Sequence, residues 1–255
     1  MKKFCFTVDD NIRCLDELTR SECKSIFEHP YLNMYKRLHE KYNLKIQMNL
    51  FYENDNFNLS QMTDRFSEEW RSVSDWLKLS FHSKKENVRP YEFSGYDEVF
   101  NDCRDVHREI LRFASPESLA KTTTVHYCFA TKEGLEALKD NGVKGLLGLY
   151  GNGAVSYERS DEECERIRKG EVVLSDGISH AAIDMCFNSY RKEQVEPTLS
   201  EFLDRDFVKI MTHEQYFYTD YRRYQPYFEE SLEIAFDLLT ENGFTSIFFE
   251  EYNKA

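Results

Sequence analysis

The chain has 255 residues, of which 41% are apolar and 15% aromatic, and a formal net charge of −13. That length suits one barrel-type domain spanning 1–255, and the apolar content excludes a disordered chain. An acidic surface repels phosphate backbones and anionic headgroups, which argues against nucleic acid and membrane surfaces as partners.

Residues 3–8 read as a short apolar strand. Helical periodicity runs over 21–42, with Leu32, Tyr35, Leu38 and Tyr42 on one face. Residues 44–52 predict a strand, 60–75 a helix in which Phe66, Trp70 and Val73 share a face, and 76–81 a further strand. A helix over 96–113 carries Val99, Cys103, Val106 and Ile110 in one stripe. The β-branched and aromatic run 122–129 is strand-like. Thr131 can cap a helix that stops at Gly142. A strand over 143–149 and a charged helix over 160–169 follow, then a hairpin within 171–190 around Asp176-Gly177. Residues 199–203 read as a short helix, 207–211 as a strand, 228–242 as a helix ending at Gly243, and 245–249 as the last strand. This alternation implies a parallel sheet with helical crossovers. Seven or eight mostly parallel strands suffice for a (β/α) barrel, whose chemistry gathers at the C-terminal strand ends.

The seven cysteines are scattered and form no C-x-x-C pair. Neither a zinc knuckle nor a redox motif is present, and free thiols fit a reducing compartment. The apolar run after Met1-Lys2-Lys3 ends at Asp9-Asp10, too short for a signal peptide, and no stretch is long enough to span a membrane. A cytoplasmic protein is expected.

Four ionisable residues follow β-like runs: Asp9 and Asp10 after the first, His82 after the third, His213 after the next-to-last. His126 lies in or near the end of the fourth. Adjacent carboxylates at a strand end can divide the roles of metal ligand and base, although Asp there equally serves as a turn or cap residue. A neutral imidazole in such a place is a metal ligand or a hydrogen-bonded core residue. His29, His39, His107 and His180 read as solvent-facing or structural. No phosphate loop, G-x-G-x-x-G or G-x-S-x-G elbow occurs, and 148–153 reads as a glycine-rich turn. The aromatic run 216–227 reads as a rim loop or a sugar-stacking surface.

In order along the chain, these segments resemble the polysaccharide deacetylases, which remove N-acetyl groups from chitin and peptidoglycan and have a distorted (β/α) barrel. Thr7-Val8-Asp9-Asp10 is similar to that family's T-F-D-D motif, which implies Asp9 as catalytic base and Asp10 as metal ligand. His82-Ser83-Lys84-Lys85-Glu86 is similar to its H-[ST]-x-x-H motif, with Glu86 in place of the second histidine. The resemblance therefore implies a divalent metal, zinc first, on Asp10 and His82, with Glu86 or His126 as third ligand. The R-x-P-[YF]-G motif is matched only loosely, by residues 126–130, and the Asp-Trp motif is absent. Met211-Thr212-His213 is similar to L-x-H, which implies His213 as general acid. The implied function is metal-dependent hydrolysis of an N-acyl group on an amino sugar or other small amide. A non-catalytic carbohydrate- or partner-binding relative and a two-carboxylate glycosidase, pairing Asp9 with Glu214 or Glu86, are the alternatives. The expected partner is a small-molecule or carbohydrate substrate.

Overall fold

A computed structural model of the protein describes residues 2–86, 91–151 and 156–252. Ten strands lie in the order β1 (Lys3–Asn11), β2 (Ile46–Glu53), β3 (Leu77–Lys85), β4 (Thr122–Thr123), β5 (Gly145–Gly148), β6 (Val173–Ser175), β7 (Ile178–Ala182), β8 (Met185–Cys186), β9 (Phe207–His213) and β10 (Thr245–Ser246). The helices are α1 (Arg13–Arg20), α2 (Pro30–Tyr42), α3 (Ser67–Ser72), α4 (Tyr96–Phe113), α5 (Lys132–Asp140), α6 (Asp161–Arg168), α7 (Lys192–Ser200), α8 (Phe228–Glu241) and α9 (Phe249–Tyr252).

One sheet runs β3-β2-β1-β9-β8, with β10 also on β1; the other runs β4-β5-β7-β6. Every pairing is parallel except the β6–β7 hairpin. β7 and β8 are two residues apart and form one stave, bonded to β5 on one side and β9 on the other, so seven parallel staves (β1, β2, β3, β4, β5, β7–β8 and β9) follow one another in chain order, as the expected α/β barrel requires. No ladder joins β3 to β4 themselves, but just before β4 Leu79 N donates to Ser118 O and Ala120 N to Leu79 O, each at 2.8 Å. Side chains bridge the β3/β4 seam: Ser80 Oγ donates to Thr122 O at 2.7 Å, and Thr123 Oγ1 donates to Phe81 O. At the other seam Asp184 N donates to Lys209 O at 2.8 Å.

β1 is the central stave and is buried on both faces after Lys3, as a strand covered on both sides must be. Phe4 and Phe6 stack with Phe236 of α8, and Phe6 also meets Tyr35 of α2. Among the described residues no helix is long and apolar enough to cross a membrane.

The structure corrects several boundaries. The helix expected over 21–42 begins only at Pro30, and α1 precedes it. The expected helix 60–75 shrinks to α3. The strand expected over 122–129 ends at Thr123, and the chain turns through His126–Cys128 with Tyr127 and Cys128 in the left-handed region. The helix expected over 199–203 is α7, which ends there. The strand expected over 245–249 is two residues followed by α9. The glycine-rich run 148–153 passes out of the described residues after Gly151.

Candidate metal centre

The register of the parallel ladder builds the site. Asp9 on β1 lies opposite His213 on β9, about 4.8 Å away across adjacent strands. Neighbouring residues on a strand point to opposite faces, so Asp9 and Asp10 should diverge. Asp10 instead adopts φ of 63°, and the β1–β2 register breaks between Val8 and Asn11. A bulge of this kind re-aims a side chain. Both carboxylates consequently line one cavity of about 560 Å³, together with His82, His126, His213 and Glu86.

Within it, Asp10, His82 and His126 form the group whose ligand atoms are mutually close among the described residues. His82 Nε2 lies 3.0 Å from Asp10 Oδ1 and 3.1 Å from His126 Nδ1, and His126 Nδ1 lies 3.4 Å from Asp10 Oδ1. His82 Nδ1 meets the carbonyl of Thr124 at 2.5 Å. A carbonyl only accepts, so Nδ1 carries the hydrogen, and in the neutral ring Nε2 offers a lone pair to the triangle's centre. Three lone-pair donors converge there, and only a proton or a cation can hold them together. A tetrahedral centre with bonds of about 2.0–2.1 Å has edges of about 3.3 Å, and an octahedral one edges of about 3.0 Å. The triangle matches both, and nitrogen and carboxylate donors suit zinc, nickel or cobalt. Glu86 is exposed on the cavity wall and stands outside this group.

The surrounding groups fix orientation. Asn49 Nδ2 donates to Asp9 Oδ1 at 2.7 Å, and Gln47 Nε2 in turn donates to Asn49 Oδ1 at 2.8 Å. Gln215 Nε2 donates to Asp10 Oδ2 at 2.6 Å. His213 Nδ1 donates to Asn188 Oδ1 at 2.7 Å, which leaves Nε2 free for the cavity. The Cys186 thiol shares the same acceptor at 3.2 Å. Phe51 packs against both His82 and His126, with ring centroids 5.1 and 4.9 Å away.

Burial alone would raise the Asp10 carboxyl, but hydrogen bonds from His126 and His82 overcome it and hold Asp10 well below the usual range. Burial pulls the His82 imidazole down, and Asp9 and Asp10 more than reverse that, leaving it raised. Burial lowers His126. It raises Asp9, against the opposing pull of His82 and His213. It also works against a charged His213, yet contact with Cys186 and the nearby carboxylates lifts that ring to about 10.

Sequence reasoning did not find Asn49, Asn188 or Gln215, because uncharged amides carry no periodic or motif signal. It named Glu214 only as a possible glycosidase carboxylate. Glu214 is buried, and its two oxygens accept from the backbone N–H groups of Ile12, Arg13 and Cys14 at 2.7–2.9 Å. It caps α1 from about 200 residues away, which leaves it unsuited to pair with Asp9. His29, His39, His107 and His180 stand outside the triangle; of the four, His29, His107 and His180 are buried rather than solvent-facing.

No family model matches this sequence, and no curated protein does. Solved structures match in fold. A family 4 acetyl xylan esterase from Clostridium thermocellum, in complex with a cobalt ion, aligns with a TM-score of 0.55 at 14% identity, covering 98% of this chain and 89% of that one. The Bc1960 peptidoglycan N-acetylglucosamine deacetylase aligns with a TM-score of 0.50 at 10% identity, over 98% and 86%. A 4-alpha-glucanotransferase from Thermococcus litoralis aligns with a TM-score of 0.55 at 16% identity, over 98% of this chain but 40% of that one. At these identities the likeness is one of fold alone, shared by an esterase, a deacetylase and a glucanotransferase.

Proposed function

We propose that the protein is a divergent polysaccharide-deacetylase-like hydrolase, one barrel domain, that removes an N-acyl group from an amino sugar or another small amide. The observation that supports this is the Asp10–His82–His126 triangle, set in the same cavity as Asp9 and His213. A divalent cation bound there, zinc in our reading, would polarise the scissile carbonyl and lower the pKa of a water toward about 7. Asp9 is the base: Asn49 holds Oδ1, which leaves Oδ2 to take a proton. His213 is the acid. It stays protonated at neutral pH, and Asn188 directs its Nε2 toward a leaving nitrogen. Tyr216 and Tyr221 line the cavity and offer ring faces to a sugar. The cysteines are free throughout, which supports a cytoplasmic setting, where small amino sugars are the available substrates.

Turnover of N-acetylated amino sugars by zinc-loaded protein tests this reading. Asp9→Asn and His213→Ala are expected to lower kcat by about 10²–10⁴ while elemental analysis finds the metal still bound. If the loaded wild type turns over nothing in a broad panel of acetamides, and both variants bind sugars as it does, the cavity is a non-catalytic carbohydrate site.

A further inference from the structure

A second cavity, of about 320 Å³, lies between α5 and the β6–β7 hairpin and shares no lining residue with the metal cavity. Arg159 lines it and is only 9% exposed. Its Nε donates to Tyr157 O at 3.0 Å, and its Nη1 donates to Ser175 Oγ at 2.7 Å and Asp176 Oδ2 at 3.1 Å. These bonds leave Nη2, with two N–H donors, uncommitted among the described residues. The Asp176 side chain is 78% exposed, so water screens the one carboxylate in ion-pair contact with this guanidinium. Glu163 of α6 adds a second carboxylate that acts on this guanidinium at longer range.

His180 lines the same cavity. It is buried, and its Nε2 has no partner. Its other nitrogen faces the Tyr150 hydroxyl at 3.5 Å, which can donate to it and leave the ring hydrogen on Nε2. Lys132 and Lys139 complete the wall, and neither ammonium group makes an ion pair among the described residues. Against these three cations stand Glu136 and Asp176.

We propose that this cavity is a binding site for a small anion, a phosphate monoester or a carboxylate. Arg159 Nη2 and His180 Nε2 are the donors, and Lys132 and Lys139 close the rim. A guanidinium fork and a ring N–H suit the oxygens of either group, and the buried donor left unpaired, His180 Nε2, is satisfied by them. The site is independent of the metal-centre reading.

Calorimetric titration of the whole, metal-loaded protein with inorganic phosphate, and separately with succinate, tests it. Saturable binding of one or both is expected, and which arm binds identifies the anion. Arg159→Gln is expected to weaken it by about tenfold or more, since a charged hydrogen bond is lost. The surface variant Lys132→Gln/Lys139→Gln is expected to weaken it several-fold with an unchanged melting temperature in anion-free buffer, so the test survives if the buried substitution impairs folding. His82→Ala, which breaks the metal triangle, is expected to bind as the wild type does. Absence of saturable binding, affinity unchanged in the lysine pair, or binding lost in His82→Ala overturns the proposal.

Discussion

Asp10 holds a backbone conformation that most side chains avoid. A left-handed non-glycine residue costs on the order of 1–3 kcal/mol, although Asp tolerates it better than most. The turn is useful because it brings two successive carboxylates into one cavity. His126 depends on a similar device, since Tyr127 and Cys128 after it are also left-handed. His126, not Glu86, has its ligand atom beside those of Asp10 and His82, so on the proposed reading His126→Ala is expected to lose bound metal in elemental analysis and Glu86→Ala to retain it. Equal loss in both variants would make Glu86 a ligand. Protonation gives a second handle. Burial lowers the His82 imidazole, but Asp9 and Asp10 leave it raised, and a cation at the triangle competes with that proton. Metal affinity is therefore expected to fall as pH drops, with proton release on binding measurable by titration in buffers of different ionisation enthalpy. Asp9, Asp10, His82 and His213 were legible in the sequence because each ends a β-like run. His126 stood only as one of two options, because a strained turn leaves no periodic trace.

At the scale of elements, the end of β9 acts on the end of β1 through three consecutive residues. His213 faces Asp9, Glu214 caps α1, and Gln215 holds Asp10. α1 escaped sequence reading for this reason. Its own N-cap, Ile12, has no capping side chain, and the cap arrives from a distant strand. α5 and α6 were legible because Thr131 and Ser160 cap them locally. Removing the long-range cap is expected to matter more than removing a surface one. Glu214→Ala leaves three N–H groups at the buried start of α1 unpaired, at about 1–3 kcal/mol or more. The expected outcome is a lower denaturant midpoint at unchanged m-value. An unchanged midpoint would mean that water replaces the carboxylate without loss.

The stave order of the whole molecule was legible because it repeats the chain order, and alternation in the sequence is enough to suggest it. The break between β3 and β4 was not. The β-branched residues of 122–129 favour a strand, but the chain leaves the sheet after Thr123 to present His126. Stability of the whole fold carries a pH signature from histidines outside the metal centre. Burial lowers His107 to about 4, and burial together with Arg159 does the same to His180. Their unfolded value is about 6.5, so the unfolded chain takes up protons first as pH falls. The stability they contribute is complete above pH 6.5 and is lost progressively between about 6.5 and 4. Each pKa unit is worth about 1.4 kcal/mol, so a clear decline in unfolding free energy is expected over that window. His107→Asn should flatten it, as followed by urea denaturation at pH 7 and pH 5; an identical slope in the variant would remove His107 as a cause.

The grip of β9 on β1 also sets a schedule. A ribosome makes the chain from its N-terminus at roughly 5–20 residues per second. Gln215 and Asp10 are 205 positions apart, so the strand that opens the molecule waits on the order of 10–40 s for its later neighbour. Throughout synthesis one edge of β1 stands unpaired, which is the condition that invites wrong partners. Asp9 lacks His213 for the same interval, so the cavity's side chains come together only once β9 has been made. A chain that ends before β9 has Asp9, Asp10 and His82 but not the imidazole that faces Asp9.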